Sequence, residues 1–341
     1  MFDFVVIGDI VIDRILHLSH SDIINSIDPQ KHTVTLPFPN KIQLDVAPST
    51  NAGGNAYNVA TAMKKLGLNV ALYSVIGNDF EGQKMLDEIK AAGVNCDLVT
   101  KDENAETNSA VILNIRGDRL VMSYHQPRKY SLPDIPDTKF VYLTSIGEDD
   151  QELFKQVLEL KQKKGFKLIF SPGTLQVTEP FAEVKDVIAA SDLLILNKAE
   201  AISMSRLNTE SNEYLMQGLF KYGPKQIIIT RSDRGSIAYD GKGFVKVGAL
   251  KVTPVESTGA GDCFAASVGA AIAYEKDIAT AMGWGAVNAA NAICSVGATT
   301  GLLTKDELEA QYNEKVSQLV YTEATSSEIK IPKVSEHYEG S

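Results

Sequence analysis

Apolar residues fall along the chain in short runs closed by polar or glycine-bearing turns, and the spacing of the runs predicts the fold. Phe4-Val5-Val6-Ile7 is a buried-strand pattern ending in Gly8-Asp9, a turn at a strand's carboxyl end, where open α/β sheets place their ligands. Residues 70–76 read as a further strand, 81–92 as an amphipathic helix, and 109–115 with 120–124 as a hairpin about Arg116-Gly117-Asp118. From Lys139 the rhythm is regular: strand 140–144, helix 150–164, strand 168–170, a helix around 180–190, then strands 193–196 and 226–230. A second hairpin, 236–239 with 244–247, follows about Asp240-Gly241. Strands alternating with helices predict an α/β fold with a doubly wound, mostly parallel sheet flanked by helices.

Between residues 17 and 48 this rhythm breaks into polar and proline-bearing pieces around two alternating runs, 33–36 and 41–46. Together with the 109–124 hairpin, the stretch from about 10 to 50 reads as a small β lid on one domain spanning residues 1–320. Residues 321–341 are polar and are expected to lie outside the core as a tail.

At 341 residues the chain buries a substantial core, and its formal charge of −10 argues against nucleic acid or an anionic membrane as partner. Cys96, Cys263 and Cys294 lie far apart in no zinc or disulfide pattern, which suits a reducing cytoplasm. The N-terminus carries no basic region ahead of an apolar one, and no apolar segment approaches the ~20 residues of a bilayer span, so a soluble protein is expected.

The candidate chemistry sits where Val255-Glu256-Ser257-Thr258 gives way to Gly259-Ala260-Gly261-Asp262 and then to a run of small apolar residues from Cys263 to Tyr274. This reads as a loop entering a buried helix. Backbone N–H groups at a helix start lack partners, the dipole there favours negative charge, and glycines let a phosphate come close. An acid beside such an anion hole suits a base that takes the proton of a hydroxyl attacking a phosphoryl group, so Asp262 is the candidate base; the competing reading is an acid that merely complements the helix dipole. A second helix opens on Gly53-Gly54, with Ala60, Met63 and Leu66 at helical spacing. No P-loop and no Gly-x-Gly-x-x-Gly fingerprint is present, which weakens P-loop and dehydrogenase readings.

These two glycine loops resemble the signatures of the ribokinase, or PfkB, family of small-molecule kinases. Gly53, Gly54, Ala56, Asn58, Ala60, Gly67 and Gly77 stand at the spacing of the first signature. The second keeps Gly259, Ala260, Gly261 and Asp262, with Glu256 where the family usually has Asp and Ser267 where it has Ala or Gly. The resemblance implies a ribokinase-like fold and ATP-dependent phosphorylation of a hydroxyl on a small sugar. It assigns Asp13, Gly53, Gly54 and Asn58 to the acceptor, and Asn197 and Glu200, the ends of an Asn-x-x-Glu motif, to Mg2+ and phosphate through water. Thr230 and Gly235 fall in its nucleotide loop, where Ser232 replaces a glycine, and Asn288 and Asn291 on its adenine side; the residues themselves allow those two asparagines to be an internal polar pair instead. Glu256 lies in the loop that flanks a monovalent cation such as K+ in the family.

Asn55 stands where several relatives that use phosphorylated or ribose substrates have Lys, so an acceptor already carrying phosphate is disfavoured; a nucleoside is the main alternative to a sugar. A non-catalytic ligand-binding relative is the rival from another class, and the retained Asp262, Asn197 and Glu200 argue against it. The lid would expose edge strands, which leaves both a lid-to-lid homodimer and a monomer open.

Overall fold

Six parallel strands form the middle of the protein because their side chains are apolar on both faces. In Phe2–Ile7, Phe4 and Val6 enter one core while Val5 and Ile7 enter the other. The same split divides Ile228 from Ile227 and Ile229 in Ile227–Thr230. The computed structural model describes residues 1–18, 27–28, 33–36, 41–42, 44, 46–115, 118–147, 151–178 and 181–325. Its main sheet has nine strands, in the order Tyr321–Thr325, Gly243–Val247, Ser236–Tyr239, Ile227–Thr230, Leu193–Asn197, Lys167–Phe170, Thr138–Leu143, Phe2–Ile7 and Val70–Tyr73. The first three join by antiparallel pairing.

Helices Asn55–Lys65, Ala260–Ala273 and Ile278–Ala292 cover one face of this sheet. Small residues let them approach closely: a Cβ on Gly269 would stand 2.9 Å from Met63 Cε, and one on Gly285 would stand 2.6 Å from the Phe264 ring. Close packing here brings the starts of the first two helices together, and those starts carry the two glycine loops.

A four-stranded sheet stands beside the carboxyl ends of the main strands, in the order Asp118–Tyr124, Ser109–Ile115, Val11–His17 and Ser49–Gly53. It differs from the expected excursion. The 33–36 run pairs only over Thr33–Val34, and 41–46 has no strand among its described residues. Ile42 and Leu44 instead pack on Leu18 and Ile115, so alternation there marks a covering segment rather than a ladder. The strands are its flanks, Val11–His17 and Ser49–Gly53.

Residues 321–325 also depart from the expectation of a tail outside the core. They pair with Gly243–Val247 as the last strand of the main sheet, and Tyr321 Oη lies 3.3 Å from Tyr312 Oη. A polar sequence suits an edge strand that would otherwise leave Gly243–Val247 unpaired. Helices Lys198–Ser205, Asn212–Phe220 and Lys305–Lys315 escaped the hydrophobic pattern, and each begins at a side-chain cap, Asn197, Ser211 or Thr304.

Candidate active site

Gly259 caps helix Ala260–Ala273 with φ 73°, a left-handed conformation, and a Cβ there would stand 2.7 Å from Ala298 Cβ. Ala260 N–H turns back to Ser257 O at 3.4 Å and Cys263 N–H to Gly259 O at 2.8 Å, which leaves the Gly261 and Asp262 amides as donors of the first turn. A Cβ on Gly261 would meet nothing within 4 Å, so the space beside these amides is open to a ligand. The loop before them is held by Glu256, which is buried: Oε1 accepts from Thr258 Oγ1 at 2.6 Å and Oε2 from Gly297 N at 2.9 Å.

The second glycine loop closes on the same point. Gly54 caps helix Asn55–Lys65 at φ 89°, and a side chain there would crowd Asp9 O at 2.9 Å. Gly53 lies against the Asp13 carboxyl, with a Cβ position only 2.6 Å from Asp13 Cγ. One turn into the helix, Asn58 Nδ2 donates to Asp262 Oδ2 at 2.9 Å. A carboxylate only accepts, so Asn58 must present its amino group to Asp262, and its Oδ1 is buried without a donor among the described residues.

Electrostatics mark this place as unusual. Burial pushes the Asp262 carboxyl up to about 6, the Asn58 hydrogen bond and Arg119 pull it down, and Glu200 adds to the rise. Burial likewise pushes Asp13 up to about 6, against the pull of Arg119 and reinforced by Glu256 and Asp262. Burial and like charges thus raise two carboxyls at the meeting point of two glycine loops, at a cost to fold stability.

Beside the Gly259–Asp262 turn, a cleft of about 460 Å³ runs from Gly261 and Ser257 past Thr230 and Gly235 to Ala286, Ala289 and Ala290. Asn197 and Glu200 form a reciprocal capping box: Asn197 Oδ1 accepts from Glu200 N at 2.9 Å, and Glu200 Oε2 accepts from Asn197 N at 2.8 Å. Burial raises the Glu200 carboxyl, and the Asn197 amide partly offsets it. The capped helix start and the influence on Asp262 therefore belong to one pair of residues. Ser232 adopts φ 54° where a glycine would rest without strain. Ser232→Gly is expected to stabilise the fold by about 0.5–1 kcal/mol, read from the denaturant midpoint, because relief of left-handed strain outweighs glycine's extra unfolded-state entropy.

Asn288 and Asn291 both find partners inside the fold, as the internal polar reading expects. Asn288 is fully buried, donates to Ser267 Oγ at 2.9 Å and accepts from Leu303 N at 3.1 Å. Asn291 donates to Gly301 O at 2.7 Å. Both tie their helix to its surroundings, while alanines of the same helix face the cleft. Helical period puts Ala286, Ala289 and Ala290 on a face that neither asparagine shares, and packing decides which of the two faces meets the cleft. Also missed were the cleft wall around Leu250, Val252 and Pro254, an irregular stretch with no period to read, and Arg119, whose charge on strand Asp118–Tyr124 pulls the Asp13 and Asp262 carboxyls down.

Comparison with known proteins gives the family and the fold. Residues 4–305 match the model of the pfkB family carbohydrate kinases. The ribokinase of Bacillus subtilis (strain 168) is 27% identical over 266 residues, covering 76% of this chain and 87% of its own. The 5-dehydro-2-deoxygluconokinase of the same strain is 23% identical over 330 residues, 90% of this chain and 95% of its own. The Arabidopsis thaliana ribokinase complexed with ribose and ATP shares the fold, with a TM-score of 0.74 at 21% identity over 91% of this chain and 98% of that one. The chain belongs to the pfkB family. It is an ATP-dependent carbohydrate kinase, a phosphotransferase with an alcohol acceptor, on a ribokinase fold.

Proposed function

We propose that the protein transfers the γ-phosphoryl group of ATP to a hydroxyl of a small sugar held between Asp13, the Gly53-Gly54 loop and Asn58, with Asp262 as base. The observation that carries this reading is the 2.9 Å hydrogen bond from Asn58 to Asp262, which joins the acceptor loop to the anion hole. The acceptor hydroxyl oxygen attacks the γ-phosphorus, the bond to the β–γ bridging oxygen breaks, and Asp262 takes the hydroxyl proton as ADP leaves. The Gly259 to Asp262 segment offers amides to the charge on the transferring oxygens, and Asn58 Oδ1 is placed to accept from a second acceptor hydroxyl. Thr230 and Gly235 would contact the nucleotide in the cleft, whose alanine wall suits a flat base.

Mg2+ would neutralise phosphate charge. Asn197 and Glu200 would hold it through water, and the mutual repulsion of Glu200 and Asp262 is the feature such a cation relieves. Both Glu256 oxygens already accept from protein donors, so no step is assigned to K+. The four-stranded sheet is read as a lid that shields the acceptor from water. Its outer strand exposes Leu120, Val121, Met122 and Tyr124, each 47–57% accessible, which a second copy of the chain pairing there would cover. The free thiols Cys96, Cys263 and Cys294 support a cytoplasmic setting.

The direct test is ADP formation from ATP with a panel of sugars, sugar acids and nucleosides, with and without Mg2+. Acceptor-dependent, Mg2+-dependent ADP release is expected for at least one sugar-class compound. Release with nucleosides alone would reassign the acceptor, and release with none would remove the reading.

A further inference from the structure

We propose that Asp9 is a positioning residue for the transfer: its buried carboxylate, with Tyr130, Asn108 and Arg128, joins the small sheet to the main one and so fixes where Asp13 stands relative to Asp262. This rests on the acceptor site proposed above. Asp13 belongs to the small sheet, on Val11–His17, while Asn58 and Asp262 lie on helices packed against the main sheet. The acceptor site is therefore divided between two bodies, and its geometry depends on how they are joined.

All four strands of the small sheet meet the main body at one place. Val11–His17 begins just after Asp9, Ser109–Ile115 directly after Asn108, and Asp118–Tyr124 ends directly before His125. Ser49–Gly53 ends before Gly54, where a Cβ would stand 2.9 Å from Asp9 O. Asp9 itself is tied to the main sheet, since its N–H donates to Ser145 O at 2.7 Å, beyond strand Thr138–Leu143.

The Asp9 carboxylate is buried, yet no step of the transfer uses it. Tyr130 Oη lies 3.0 Å from its Oδ1 and 2.9 Å from its Oδ2, and accepts from Gly147 N at 3.1 Å. Burial and the Asp9 charge push the Tyr130 hydroxyl far up, so it remains a donor. Asn108 Oδ1 accepts from Gln126 N at 2.9 Å and from Arg128 Nη2 at 2.8 Å. This turns the Asn108 amino group toward Asp9 Oδ2 and His125 Nδ1, each at 3.4 Å. Arg128, also buried, donates to Val75 O and Glu106 O, both at 2.7 Å. One buried network thus links the end of Phe2–Ile7 to the ends of two small-sheet strands, and losing an acceptor within it leaves buried donors unpaired.

The nucleotide cleft lies apart from this join, for no residue lining it comes from the small sheet. Weakening the join therefore shifts Asp13 against Asp262 and leaves the nucleotide in place. A displacement on the order of 1 Å between reacting groups costs about 100-fold in rate. A purely structural role would instead lower stability or the active fraction and leave every KM unchanged.

Kinetics with the panel sugar that supports the fastest ADP release separate the two roles. In Asp9→Asn the new amino group meets the donor of Tyr130 or Asn108. The acceptor KM is expected to rise and its kcat/KM to fall about 10–100-fold, with the ATP KM within about twofold. Tyr130→Phe lowers kcat/KM about 3–10-fold in the same sense, and it decides the matter if Asp9→Asn does not fold. Exchanging the two residues, Asp9→Asn with Asn108→Asp, sets a donor against an acceptor again and should bring kcat/KM back to within about fivefold of wild type. An acceptor KM unmoved in these variants, ATP and acceptor KM rising alike, or an exchange no better than Asp9→Asn alone overturns the proposal. If Asp13→Ala leaves the acceptor KM unmoved as well, the acceptor site itself is misassigned; a KM raised in Asp13→Ala alone strikes only the role of Asp9.

Discussion

Asp262→Asn is expected to lower turnover by at least about 100-fold while making the protein more stable at neutral pH. The amide keeps the shape and can still accept from Asn58 Nδ2, but it cannot take a proton. A variant keeping more than roughly a tenth of the wild-type rate would remove Asp262 from the role of base. Nucleotide binding, followed as the thermal shift produced by ADP, should survive the change.

The gain in stability follows from the same carboxyl. Folding raises Asp262 from 3.8 to about 6, so it is the charged form that the native state disfavours. That cost is complete above pH 6, declines as pH falls toward 3.8, and is absent below it. Each pH unit of such a shift corresponds to about 1.4 kcal/mol. Because Asp262 retains solvent contact, the discounted gain for Asn is about 1–2 kcal/mol at pH 7–8, vanishing near pH 4. Chemical denaturation of both proteins at pH 4 and pH 8 checks it. A residue with only a helix-capping role would show the reverse, losing stability on replacement at pH 8.

Asp13→Ala should raise the acceptor KM by about 10–100-fold and leave the ATP KM within about twofold, since Asp13 lies against Gly53 and does not line the cleft. Matching damage to both constants would point to a folding role. Asp13 and Asp262 are both held at about 6, and each is read as acting in its charged form. The acceptor kcat/KM should therefore rise with pH through about 6 and level off above it. Below that point the two carboxyls together make the slope steeper than one group allows, and Asp13→Asn should reduce it to that of one. A slope unchanged in Asp13→Asn would take Asp13 out of the titration.

The contrast between Asn58 and Asn288 shows what each kind of information decides. Both are asparagines on Ala-rich helices, and nothing local separates them. Packing places Asn58 against Asp262, 204 positions along the chain, and buries Asn288 between Ser267 and Leu303. Arg119 is a similar case: the register of three strands aligns it with Asn114 and His17, and pairing across a sheet is a tertiary fact that no strand carries alone. The strands Val11–His17 and Ser49–Gly53 of the small sheet, and the strand at 321–325, were settled in the same way, by which edges needed partners.

The amino-acid sequence alone determined what depends on local chemistry. Unbroken apolar runs alternating with amphipathic helices called for a parallel sheet, because a strand buried on both faces has no polar side to show. Gly54 and Gly259 were readable because positive φ at a helix start is costly for other residues, and each loop announced an anion or a close-lying ligand. Only the tertiary structure could bring the two loops within hydrogen-bonding distance and turn alanines rather than asparagines toward the cleft, because each depends on segments far apart in sequence.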